Sequence, residues 1–148
     1  MTEMMIMVIQ SLDCPERNAV LTQLSHLNHP KPMTIDVSFV PNPQYRVERL
    51  KTLLQRSSAV LNVVIGANSK EEIEFLRTKQ ALFCNVHRRY PNRLLSIEGA
   101  ISKRDVLISA SGQKEHDVEV LSPTEAFSEC FMQYKRRVKR AKELSYGH

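Results

Sequence analysis

The chain is expected to fold as a three-layer α/β domain with a mainly parallel sheet, a late β-hairpin and a basic C-terminal helix. Three observations predict this. Short apolar or β-branched runs alternate with longer segments of helical periodicity. Cap residues followed by Pro or Glu stand at the joins. The excess of positive charge is confined to the last helical segment. With 148 residues, 42 % hydrophobic and 25 % charged, the chain matches the size and composition of one globular domain, so 1–148 is read as a single unit.

The elements follow in order. Met5–Leu12 is a continuous apolar run, suited to a strand buried on both faces. Asp13-Cys14-Pro15-Glu16 predicts a helix start with Asp13 as N-cap and Glu16 reaching back to it. Val20, Leu21, Leu24 and Leu27 give that helix its apolar face, and Pro30 and Pro32 end it. Thr34–Val40 is β-branched and alternating. Asn42-Pro43 then caps a helix carrying Val47, Leu50, Leu53 and Leu54. Ala59–Ala67 reads as a central strand. Ser69-Lys70-Glu71-Glu72 is a capping box, and Ile73, Leu76, Phe83 and Val86 predict a helix reaching about Arg89.

Beyond Pro91 the texture changes. Leu94–Glu98 and Asp105–Ala110 are short strand-like runs around Gly99, which predicts the hairpin. Val118–Leu121 is a last strand. Ser122-Pro123-Thr124-Glu125 is a strong helix start, followed by an apolar seam of Phe127, Phe131, Tyr134, Val138 and Ala141. The resulting order is similar to the flavodoxin-like and Rossmann-like sheets.

Several function classes lack support. The N-terminus has Glu3 where a secretory signal carries bases, and no apolar run reaches the ~20 residues that span a bilayer, so a cytoplasmic protein without a membrane role is expected. Cys14, Cys84 and Cys130 are odd in number and widely spaced, as reduced thiols are. Neither dinucleotide nor Walker-type glycine motif is present. Cys84 and His87 supply only two of the four ligands a zinc site needs, and the Cys84–Tyr90 spacing does not fit a phosphatase loop. His26 and His29 suit a helix end. No metal, cofactor or catalytic constellation is expected.

Open parallel sheets take ligands at the carboxyl ends of their strands. Asp13, Asn42, Asn68 and Ser69 fall there and form a candidate pocket for a small nucleotide- or phosphate-using enzyme. The layout also resembles the receiver domains of two-component signalling. However, Asp13 stands without an acidic cluster, the third strand ends in Gly66-Ala67-Asn68, and Leu121-Ser122-Pro123 offers no lysine. The resemblance therefore implies a degenerate protein-interaction relative at most.

Charge carries the main functional expectation. Lys135, Arg136, Arg137, Lys139, Arg140 and Lys142 face Glu143 alone in the last fourteen residues, a local +5 that equals the net charge of the whole chain. At about 100° per residue, Arg136 and Arg140 fall opposite Phe131 and Val138, flanked by Arg137 and Lys139. A second group comprises Arg77, Lys79, Arg88, Arg89 and Arg93. These predict a non-enzymatic binding or regulatory module that contacts nucleic acid or an acidic protein surface, with Lys135–Lys142, Arg88 and Arg89 as its contacts. A seam not consumed by the chain's own core would instead favour a homodimer.

Overall fold

The computed structural model describes residues 4–27, 31–87, 97, 99–102, 104–110 and 119–146. Their elements run β1 (Met5–Gln10), α1 (Pro15–Ser25), β2 (Met33–Asp36), α2 (Pro43–Arg56), β3 (Leu61–Ile65), α3 (Lys70–Thr78), β4 (Leu82–Val86), β5 (Val106–Ile108), β6 (Val120–Leu121) and α4 (Pro123–Tyr146). The six strands form one sheet in the order β2-β3-β1-β4-β5-β6, and every neighbouring pair is parallel.

The α/β class is as expected, but the strand order is neither the flavodoxin nor the Rossmann one. β3 sits between β2 and β1, in register from Met5↔Leu61 to Ile9↔Ile65. Composition explains the edges. β1, β3 and β4 are buried at every position and take the middle, whereas β2 exposes Met33 and Thr34 and lies at the rim. It does not rank β1 against β3, since both are wholly apolar runs apart from one amide each.

The crossovers explain the layers. From β1 the chain passes over β3 to β2, and from β3 it passes over β1 to β4. Right-handed connections in these opposite directions put α1 on one face and α2 and α3 on the other. Side-chain alternation divides the core accordingly. Met5, Met7, Ile9, Val63, Ile65 and Cys84 pack with Val20, Leu24, Ala126 and Cys130 under α1 and α4. Ile6, Val8, Val64 and Phe83 pack with Leu50, Leu54, Ile73 and Leu76 under α2 and α3.

Four local expectations differ. α1 is capped by Cys14, without a side-chain hydrogen bond, because Pro15 occupies the first helical position. Asp13 is displaced outward and pairs with Arg17 at 2.9 Å. α3 stops at Thr78, since Gln80 adopts a left-handed φ of 60° that ends the helix. Leu82–Val86 is then a strand, so Cys84 and Phe83 are sheet residues and not helix residues.

Val106–Ile108 is not half of a hairpin, because parallel neighbours β4 and β6 occupy both of its edges. Its expected partner, Leu94–Glu98, lies outside the described residues except for Ile97. The loop leading into β5 is held by Arg77, whose guanidinium makes two bonds to Asp105 (2.7 and 2.9 Å) and stacks 3.6 Å from the Phe83 ring.

Candidate anion-binding surface

α4 begins where the sequence places it. Ser122 Oγ accepts from the Glu125 N–H and Glu125 Oε1 accepts from the Ser122 N–H, a complete capping box. From there the helix descends across the sheet towards the amino ends of the strands. Ala126 and Cys130 are its buried contacts, and the Cys130 thiol lies 3.9 Å from the Ile6 carbonyl. The expected seam is displaced by about one residue. Phe127 and Tyr134 are half-buried, Phe131 is 38 % exposed, and Ala141 is exposed.

Arg137 is the last anchor, its Nη1 donating to the Gln80 carbonyl at 3.3 Å. Beyond it, Lys139–Leu144 are all exposed. At 1.5 Å per residue, α4 is about 36 Å long, and its final third overhangs the sheet. The six basic residues therefore lie on the last anchored turn and the overhang. Lys135, Arg136, Lys139, Arg140 and Lys142 are exposed, and none of the six forms an ion pair with a described carboxylate. Lys135 lies over the Phe131 ring and Arg137 over Tyr134.

The second basic group divides. Arg77 is consumed by Asp105 and Phe83. Arg88, Arg89 and Arg93 lie outside the described residues. Lys79 alone meets α4: with Lys51 and Arg137 it lines a cavity of about 770 Å³ at the amino end of the sheet. Its apolar wall comes from Met4, Ile6, Leu54 and Phe75. The Lys51 and Lys79 ammonium groups stand 5.4 and 5.8 Å from the centre of the same Phe75 ring. Among the described residues, no carboxylate lines the cavity. Sequence reasoning missed Lys51 entirely, because three cations drawn from three helices leave no spacing signal.

The opposite, carboxyl end of the sheet holds the other expected positions. Asn42 Oδ1 caps α2 by accepting from the Gln44 N–H at 2.9 Å. Ser69 Oγ accepts from the Glu72 N–H and donates to Glu72 Oε1 at 2.8 Å. The Asn68 backbone N–H also bonds the Glu72 carboxylate. Asp13 stands apart with Arg17 on the rim. Glu72 and Arg46, both buried, pair at 3.0 Å, and Arg46 Nη2 donates to the Gly66 carbonyl. Burial pushes the Glu72 carboxyl above its ordinary range, against the pull of Ser69 Oγ and Arg46.

Two further residues at this end had no sequence signal. Gln10 and Asn85 stand side by side in register at the ends of β1 and β4, where the outgoing connections diverge. Both are buried. The Gln10 amide atoms, Asn85 Oδ1 and Glu72 Oε2 have no partner among the described residues. Such side chains look like sheet polar residues in sequence, and only the strand order makes them neighbours.

No known protein family and no curated protein matches this chain. Function is therefore read from these two sites. Cys84 and Cys130 do not add a third: burial pushes the Cys130 thiol to about 11 and Cys84 well above its ordinary value. Among the described residues no cluster of His, Cys, Asp and Glu is arranged for a metal, and no helix is long and apolar enough to cross a membrane.

Proposed function

We propose that the protein is a non-enzymatic binding module that docks on nucleic acid through the basic half of α4. The observation that supports this reading is the overhang. Six cations lie on and beyond the last anchored turn, five of them exposed, and no described carboxylate pairs with any of them. An idle solvent face commonly mixes signs, as residues 1–134 do with equal numbers of acids and bases. A regular line of phosphates is the complement to such a stripe. The three free thiols support a cytosolic setting.

The test is binding of the full chain to short duplex DNA or RNA by fluorescence anisotropy over a salt series. Six neutralised phosphates give a slope of about −5 in log K against log salt on B-DNA. R136E/R140E is expected to abolish binding while the melting temperature holds, since exposed substitutions stay within about 0.5 kcal/mol. Unchanged binding by that variant removes α4 as the contact. Failure on nucleic acid with capture of a polyglutamate surface would transfer the contact to an acidic protein partner. Exposed Phe131, Met132 and Leu144 on the same helix favour a second reading, self-association, which light scattering at high concentration decides.

The carboxyl-end cluster favours a third reading, a small-ligand pocket. Its support is the buried Gln10 amide and Asn85 Oδ1, without partners among the described residues, with Leu12, Phe39 and Tyr45 exposed at the same end of the sheet. A thermal-shift screen with nucleotides and sugar phosphates, read against Q10A/N85A, decides it. No shift at millimolar ligand removes it.

A further inference from the structure

We infer that the cavity at the amino end of the sheet binds a phosphomonoester carried on an apolar or aromatic body, of which a nucleoside monophosphate is the simplest representative. The inference does not rest on the docking role of α4. It rests on what the cavity gathers: Lys51 from α2, Lys79 at the end of α3 and Arg137 from α4, with no carboxylate among its described lining residues.

Three cations sharing one site with no described acid repel one another. Helix carbonyls relieve only part of this repulsion. The carboxyl ends of α2 and α3 border the cavity, and Gln80 O takes one N–H of Arg137. The other guanidinium N–H groups have no described partner. The ammonium groups of Lys51 and Lys79 rest against Phe75 and not against an acceptor. A ligand that satisfies the set therefore needs several acceptor oxygens and close to two negative charges. A phosphomonoester has both, with a charge of about −1.5 to −2 at neutral pH, whereas a carboxylate has one charge and two oxygens.

The remaining wall defines the body. Met4, Ile6, Leu54 and the edge of Phe75 offer apolar surface beside the cations. The volume, about 770 Å³, lies within the ~300–1,000 Å³ of sites that hold ligands of nucleotide size. Free phosphate would leave that wall wet, and an aliphatic tail would leave the third cation unmatched.

The experiment is isothermal titration of the full-length protein with adenosine monophosphate, adenosine, inorganic phosphate and octanoate. Methyl NMR of Ile6 and Leu54 reports the location. Adenosine monophosphate is expected to bind saturably and to shift both methyl groups. Inorganic phosphate and adenosine are each expected to bind about tenfold or more weakly. K51E/K79E is expected to lose the binding, while R136E/R140E, whose residues do not line the cavity, retains it. That contrast separates this inference from the docking of α4. Should K51E/K79E fold poorly, the methyl shifts in the unmodified protein carry the result. No saturable binding, binding that leaves Ile6 and Leu54 unmoved, equal affinity in K51E/K79E, or a preference for octanoate would each overturn it.

Discussion

Glu72 and Arg46 pair at 3.0 Å with side chains 0 % and 6 % exposed, so each is the other's main compensation for leaving water. Glu72→Leu or Arg46→Met alone is expected to cost about 3–5 kcal/mol, and the double variant R46M/E72L much less than their sum. Urea unfolding of the four proteins checks this. The raised carboxyl pKa fixes a pH sign. Glu72 contributes stability that is fully present below its unfolded value and lost as pH rises through its folded one. The stability of the native chain relative to E72Q should therefore rise on acidification. At the thiols, a disulfide-exchange reagent should label Cys14 quickly, while Cys84 and Cys130, buried and held protonated, react only after denaturation. The caps at Asn42, Ser69 and Ser122 were legible in the sequence because a cap and its partners lie within three residues. Gln10 and Asn85 were not, since their adjacency spans 75 residues and depends on the sheet order.

α4 combines a docked half with an unsupported one, and the two are expected to respond differently to mutation. Ser122→Ala removes half of the capping box and should cost about 1 kcal/mol by thermal or urea unfolding. A chain ending at Val138 should lose nucleic-acid binding with little change in melting temperature, since the deleted described residues Lys139–Leu144 are all exposed. Across the last anchored turn and the overhang, Lys135/Lys139 and Arg136/Arg140 are like charges one turn apart, each pair costing a few tenths of a kcal/mol. Added duplex or added salt should therefore raise the helical circular dichroism of the intact chain. The start of α4 could be read because its signals are local. The end of α3 could not, because Phe83 and Val86 continue the helical spacing of Ile73 and Leu76 into β4 by coincidence. The decisive event, the left-handed turn at Gln80, falls on a residue with no turn preference. Gly66 has that preference. With φ of 84° and a position where a Cβ would meet Ser38 at 2.7 Å, it makes the turn after β3, inside the run Ala59–Ala67 that reads in sequence as one strand.

For the whole molecule, the class of fold was legible in the alternation of apolar runs and caps, and the sheet order was not. Hydropathy distinguishes interior strands from rim strands, and β1 and β3 are equally interior. The basic helix was legible as a charge excess, while the cavity joining it to α2 and α3 needed the crossovers that bring three distant lysines and arginines to one end of the sheet. Those same crossovers govern how the chain must emerge during synthesis. Met5–Gln10 has no hydrogen-bonding neighbour until Leu61–Ile65 has been made, because the strand that follows it directly pairs elsewhere. A nascent chain arrested between them displays a bare, uncharged six-residue segment of the kind that seeds aggregates. Fragments ending before Leu61 should precipitate or be retained by chaperones, so translation speed over the first sixty residues becomes a determinant of yield.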